Sequence, residues 1–372
     1  AILGTVGSAV STTLEIGATS VAIGGPLYLG YRFAVARKAQ EETETIRVLP
    51  RTSTTFNPSA VRQLIGQLAG LRRSQLDRFL HGREWFRFTI VHEEDGIAFY
   101  ATSPRDRIRM VATAWQAAYP EAEIHLVEGL PPMGGYFTCA IPYFRKGDMA
   151  GLPFRQLDKE SPLIAVLSHM KNPGAWLDVQ FSAGSWRKLR KQTAAAARIT
   201  QVRQWADDPE NKARKKSVYD RFTGREAAMN VIITLGSPEL EELQSMSIGL
   251  STAFSGDNKV SFRGAWPFEN SLPFPLPSRQ FLLTSEELGA LVHLPPDHPS
   301  IKSVVRLEEG EQSLGEDELA EGIAIGRLKH PILPDRAVRI AVSQFSRHWL
   351  LSGKTGSGKS STLLTIIDDM ID

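Results

Sequence analysis

Cysteine is almost absent: Cys139 is the one such residue in a chain of 372. An intramolecular disulfide framework and a thiolate zinc site are thereby excluded, and a reducing compartment fits. Without a partner, Cys139 reads as a buried strand residue. The chain also lacks a large excess of either charge. Its 43 Lys and Arg stand against 41 Asp and Glu, a net charge of +2, which excludes a uniformly basic nucleic-acid binder. The 8 histidines show no metal-ligand spacing. Charge is scarcest at the start: between residues 2 and 35 only Glu15 and Arg32 carry it.

What is present is ordinary globular material, 42% hydrophobic and 23% charged, enough for sizeable cores. At ~100–200 residues per domain, the length suggests about two domains plus extras. Residues 14–35 form an apolar stretch long enough to cross a ~30 Å hydrocarbon layer at ~1.5 Å per residue. Tyr28 and Tyr31 would sit near one interface, and Arg32, Arg37 and Lys38 follow. The positive-inside rule then places the anchor in the cell inner or plasma membrane, with the bulk of the chain cytoplasmic. Glu15 at one edge and Gly24-Gly25-Pro26 within the span leave an amphipathic or poorly ordered arm as the alternative.

Further on, residues 41–44 and 51–58 read as polar linker, and residues 59–80 as a helix entered at Asn57-Pro58. Residues 85–91 and 97–102 alternate as two strands about a Glu93-Glu94-Asp95-Gly96 turn. Ser103-Pro104 predicts a helix through Tyr119, and residues 124–127 a third strand, giving a β-β-α-β unit. A related order follows: a strand over 231–235, Ser237-Pro238, a helix to Phe254, and a strand over 259–263. Strands at 136–141 and 176–181 and a helix at 162–170 would complete the sheets. The expected fold is an α+β region of two related, ferredoxin-like modules, followed by the start of an α/β P-loop domain. As domains this reads 1–40 anchor, 41–84 linker and helix, 85–160 first module, 161–266 second module, 267–322 Pro-rich and acidic connector, and 323–372 nucleotide-binding domain.

The near-zero net charge hides segregation. A helical insertion in the second module, residues 186–221, holds 11 Lys and Arg against 4 acids, while residues 286–321 hold 10 acids against 2 bases. Arg187, Lys188, Arg190, Lys191, Lys212, Arg214, Lys215 and Lys216 are candidate contacts for a nucleic-acid backbone or anionic lipid. The competing reading is a solvated helix whose bases pair with the acidic stretch.

The motif with chemistry lies near the end. Gly353-Lys354-Thr355-Gly356-Ser357-Gly358-Lys359-Ser360 matches G-x-x-x-x-G-K-S in full. Strands are expected over residues 338–342 and 349–352, the second leading into the loop, and a helix over 359–371 leading out with Leu363, Leu364, Ile367, Met370 and Ile371 on one stripe. The glycines let backbone N–H groups turn toward phosphate oxygens, and the helix N-terminus adds partial positive charge. Lys359 would reach the β- and γ-phosphates of ATP, and the Ser360 hydroxyl would bind Mg²⁺. Ser361 would lie near the α-phosphate or simply start the helix. Asp368, Asp369 and Asp372 sit too close to the loop to supply the acidic residue that completes a Mg²⁺ site. The chain therefore reads as the front portion of a longer ATPase, with no catalytic acid and no arginine finger assignable and no turnover expected of the piece itself.

Gly322 to Gly326, Val338-Arg339-Ile340 and Arg347-His348-Trp349-Leu350-Leu351, running into the loop, together resemble the entrance to the motor of HerA/FtsK-like pumping ATPases. The upstream LLTSEELGALVHLPP at residues 282–296 is similar to a segment before the motor in type IV secretion and conjugative DNA-transfer ATPases. The resemblance implies a membrane-anchored homo-hexamer that hydrolyses ATP to move DNA, or protein, alongside other secretion-system subunits. It carries over position by position only for the loop residues. An ABC-type or other P-loop NTPase, and a membrane-tethered assembly subunit, are the alternatives.

Overall fold

The computed structural model describes residues 43–74, 76–78, 84–144, 151–155, 161–199, 218, 221, 227–269, 280–301, 304–307, 322–327, 330, 337–346, 350, 352, 354 and 358–371. Among these, no helix is long and apolar enough to cross a membrane. The apolar stretch at 14–35 lies outside the described residues.

Two units of β-α-β-β-α-β order follow one another. The first comprises β1 (Thr43–Leu49), α1 (Pro58–Gly70), β2 (Phe86–Glu93), β3 (Gly96–Pro104), α2 (Ile108–Ala118) and β4 (Glu123–Val127). The second comprises β5 (Gly134–Pro142), α3 (Leu163–Leu167), β6 (Trp176–Ala183), β7 (Ala228–Ser237), α5 (Leu240–Ala253) and β8 (Val260–Phe262), with helix α4 (Trp186–Ile199) between β6 and β7. They share one sheet of strand order β4-β1-β3-β2-β6-β7-β5-β8. Each unit thus has its first and third strands in the middle. The units meet edge to edge where β2 pairs antiparallel with β6, from Phe86 opposite Phe181 to Val91 opposite Trp176. Joining the two β2-type edges removes a pair of exposed strand edges at the seam. Two short strands extend the sheet: β9 (Trp266–Glu269) on β5 and β10 (Phe281–Thr284) on β7.

Local patterning explains the elements. In α1, Val61, Leu64, Ile65 and Leu68 are buried at helical spacing, Asn57 caps the start by accepting from the Ser59 N–H, and Pro58 occupies the first turn. α2 buries Ile108, Val111, Ala114, Trp115 and Ala118, and its Trp115 ring stacks 5.3 Å from Phe88 of β2. The helices of both units cover the same face of the sheet over one continuous apolar core. A buried Phe or Leu there contributes roughly 1.5–3 kcal/mol. The opposite face mixes a small apolar cluster around Tyr100 and Trp176 with polar groups. Asp178 is fully buried, pairs with Arg87 at 2.8 Å, and accepts from Thr89 Oγ1 and Gln180 Nε2, each at 2.8 Å. Gly236 is required opposite Trp176 on the neighbouring strand: a Cβ there would lie 2.1 Å from the Trp176 ring.

Several expectations change. The region 41–84, taken as linker and helix with polar linker at 41–44, contains β1, a strand paired on both sides by β3 and β4. The first unit therefore has a β-α-β-β-α-β order, not β-β-α-β. Of the helix expected over 59–80, α1 ends at Gly70, residues 76–78 are helical again, and residues 75 and 79–80 lie outside the described residues. Pro104 ends β3, and α2 begins at Ile108 without a side-chain cap. In the second unit Ser237 does receive the Glu239 N–H at 3.0 Å. The Pro-rich stretch from 267 begins inside β9. The segment read as connector from 281 to 294 belongs to the core: Leu283, Leu288, Leu291, Val292 and Leu294 are fully buried.

Candidate functional site

Beyond the sheet, β11 (Ile323–Arg327) and β12 (Ala337–Ile340) form an antiparallel hairpin, braced by Arg339 Nη1 donating to the Gly322 carbonyl at 2.8 Å. Residues 342–346 are a short 3-10 helix, so β12 is shorter than the strand expected over 338–342. Leu350 and Ser352 carry no strand structure, and Leu350 is 92% exposed. A strand needs a neighbour to satisfy its backbone, and none of the described residues pairs with this one.

The helix α7 (Lys359–Ile371) starts where the motif predicts and lies against β11. Gly358 enters it at φ +83, a conformation that favours glycine. Lys359 is the first helical residue, and its Nζ donates to the Lys354 carbonyl at 2.7 Å. Ser360 and Ser361 are exposed in the first turn. Free N–H groups of a first helical turn, a neighbouring ammonium and a hydroxyl are the elements of a phosphate and Mg²⁺ site. Gly353, Thr355, Gly356 and Ser357 lie outside the described residues. Of the apolar stripe expected on α7, Leu363, Leu364 and Ile367 are 41–61% exposed, and the side chains of Met370 and Ile371 lie outside those described.

Of the candidate basic contacts, Arg187, Lys188, Arg190 and Lys191 are exposed on α4, which is anchored by buried Leu189 against Ala228 and Leu282. Lys212, Arg214, Lys215 and Lys216 lie outside the described residues. Arg221, counted with the basic stretch, is buried instead. It pairs with Glu287 at 2.8 Å and donates to the carbonyls of Gly151, Leu152 and Leu282. Glu287 also accepts from the backbone N–H groups of Phe154 and Thr284 at 2.9 and 2.8 Å, closing a capping box on α6 (Ser285–Gly289). One base of the insertion is therefore neutralised by one acid of the acidic stretch, while Glu286 pairs with Arg62 of α1.

A constellation with no signal in the sequence reading lies at the edge strand β4. Glu123 and His125, two residues apart, project from one side of the strand, and His330 comes in from between β11 and β12. The Nε2 atoms of His125 and His330 sit 3.2 and 3.1 Å from the same oxygen, Glu123 Oε2. The histidine spacing along the chain carries no signal of this arrangement. His330 is distant in sequence from the other two, and a Glu-x-His pair alone is too common to signal anything. An open cleft of about 610 Å³ lies alongside, lined among others by Arg51, Ser53, Glu121, Glu123 and His125.

No family model matches the chain, and no curated protein matches it. Among solved structures, a chain described as a candidate chlorite dismutase is similar at 10% identity and a TM-score of 0.17, covering 68% of this chain and 98% of that one. A likeness at that level supports no statement about fold or chemistry here.

Proposed function

We propose that the chain binds Mg-ATP at the loop 353–360 and belongs to a membrane-anchored motor ATPase of the HerA/FtsK-like kind, one that drives DNA or protein transfer through a type IV secretion or conjugation-type system. The observation that carries the reading is the complete G-x-x-x-x-G-K-S motif ending on the first residues of α7. Lys359 and Ser360 fit the group: an ammonium and a hydroxyl stand at the N-terminus of a helix. ATP supplies a phosphate chain whose oxygens would replace the Lys354 carbonyl as the Lys359 acceptor. Ser360 would hold the Mg²⁺ that accompanies it.

The rest of the reading extends from this point. The two units are ferredoxin-like modules related by duplication, a reading supported by their shared β-α-β-β-α-β order and mirrored strand arrangement. Residues 14–35 form the membrane anchor, the bulk of the chain is cytoplasmic, and the active assembly is a homo-hexamer with other secretion-system subunits as partners. The test is nucleotide binding by the chain, followed by fluorescence of a labelled ATP analogue with Mg²⁺. Lys359→Ala should abolish binding and, in the native protein, hydrolysis, with the circular dichroism of the sheet unchanged. Undiminished binding and ATPase in that variant would end the assignment.

A further inference from the structure

From the convergence at β4 we infer that Glu123, His125 and His330 form a binding site for a single divalent transition-metal ion of the zinc class. The inference is separate from the nucleotide site and stands on its own geometry. Two imidazole nitrogens and one carboxylate oxygen are a donor set that suits Zn²⁺ and similar ions, and three protein ligands with an open fourth position is a known zinc arrangement. With metal–ligand bonds of about 2.0–2.1 Å, two donors of a tetrahedral site stand about 3.3–3.4 Å apart. The two nitrogens lie 3.2 and 3.1 Å from Glu123 Oε2, within a few tenths of an ångström of that edge. All three donor atoms lie within 4.8 Å of one another, so a small closure of the two rings completes the face.

The surroundings favour a cation and orient the ligands. Arg51 lies 3.7 Å from the other carboxylate oxygen, Glu123 Oε1, and is itself held by donating from Nε to the Glu121 carbonyl at 2.8 Å. Oε1 faces Arg51, while Oε2 faces the two imidazoles. A second carboxylate, Glu121, is fixed nearby by the Ser53 hydroxyl at 2.7 Å and adds negative charge beside the cluster. The His330 side chain is 0% exposed, so its ring is already ordered toward the site. The cleft beside Glu123 and His125 gives room for a water or small ligand in the fourth position. Because His330 belongs to the connection between β11 and β12, the ion would tie the hairpin that precedes the nucleotide loop to the edge of the first unit.

The test uses the whole chain in mild detergent, stripped with chelator and titrated with Zn²⁺ by calorimetry and with Co²⁺ by visible absorption. One equivalent of Zn²⁺ should bind, Co²⁺ should give the intense bands of a four-coordinate site, and Zn²⁺ should raise the melting temperature. His125→Ala, His330→Ala and Glu123→Gln should each lower Zn²⁺ affinity by more than the about 10–100-fold that loss of an outer-shell partner causes. His298→Ala, away from the cluster, should bind as the parent does. Should a ligand variant fail to fold without metal, the parent's Co²⁺ spectrum still decides. Failure of the parent to take up a stoichiometric ion, or equal affinity in the parent and the ligand variants, overturns the site.

Discussion

His293 offers a measurable pH dependence whose size follows from its surroundings. The ring is fully buried 4.7 Å from Phe56. Nδ1 donates to the Gly289 carbonyl at 3.0 Å, so Nε2 is the acceptor and takes the Ser161 hydroxyl at 2.6 Å. This arrangement selects the neutral tautomer, and burial pushes the pKa down from 6.5 to about 3. The folded value lies below the unfolded one, so as pH falls the unfolded chain takes up the proton first. Stability is therefore present in full above about pH 6.5, declines by about 1.4 kcal/mol per pH unit below it, and levels off near pH 3. Between pH 7.5 and 5.5 the loss is about 1.4 kcal/mol, and carboxylates contribute little in that window. Urea unfolding at the two pH values measures it. With a slope near 3 kcal/mol per M, the midpoint of the parent should fall by roughly 0.5 M more than that of His293→Gln. Equal pH shifts in the parent and the variant would refute the claim that this imidazole is held neutral.

Arg221→Met removes one half of a buried ion pair and should cost about 3–5 kcal/mol in urea unfolding, while adding Glu287→Gln should restore part of it. A loss below about 1 kcal/mol would show that the pair is solvated. Gly236→Ala forces a methyl group into the Trp176 ring and should lower stability by about 1–3 kcal/mol with a changed near-ultraviolet Trp signal. Replacing Arg187, Lys188, Arg190 and Lys191 together with Ala should weaken binding to short DNA and flatten its salt dependence by up to about 0.9 in log–log slope per lost phosphate contact. No DNA binding by the parent at low salt, or equal binding by the variant, would assign that face to another role.

Helix phases and the central strands were legible because their signals are local. The spacing of Val61, Leu64, Ile65 and Leu68 fixes which face of α1 is buried whatever it packs on. The runs that became β2 and β6 put Phe86, Phe88 and Ile90, and Leu177, Val179 and Phe181, on one face at period two, and those that became β3 and β7 are apolar through most of their length. β1 escaped notice because Glu44 and Arg47 made it look polar. Their charges are absorbed by tertiary partners: Arg47 pairs with Glu93 at 3.1 Å beside the Tyr100 ring, and Glu44 with Arg105 at 2.8 Å. The segment around β10 and α6 looked like a connector because its acids suggested exposure. Glu287 is instead buried against Arg221, a partner 66 residues away.

By itself, then, the sequence determined the period of α1 and of the central strands and the place where α7 begins, because these depend on neighbours within one or two turns of chain. Tertiary structure alone decided which strand edges meet, which charges are neutralised inside, and that His330 reaches Glu123 and His125 on β4. Such pairings depend on which backbone edges and side chains remain unsatisfied once the local elements have formed, and no short-range pattern records that.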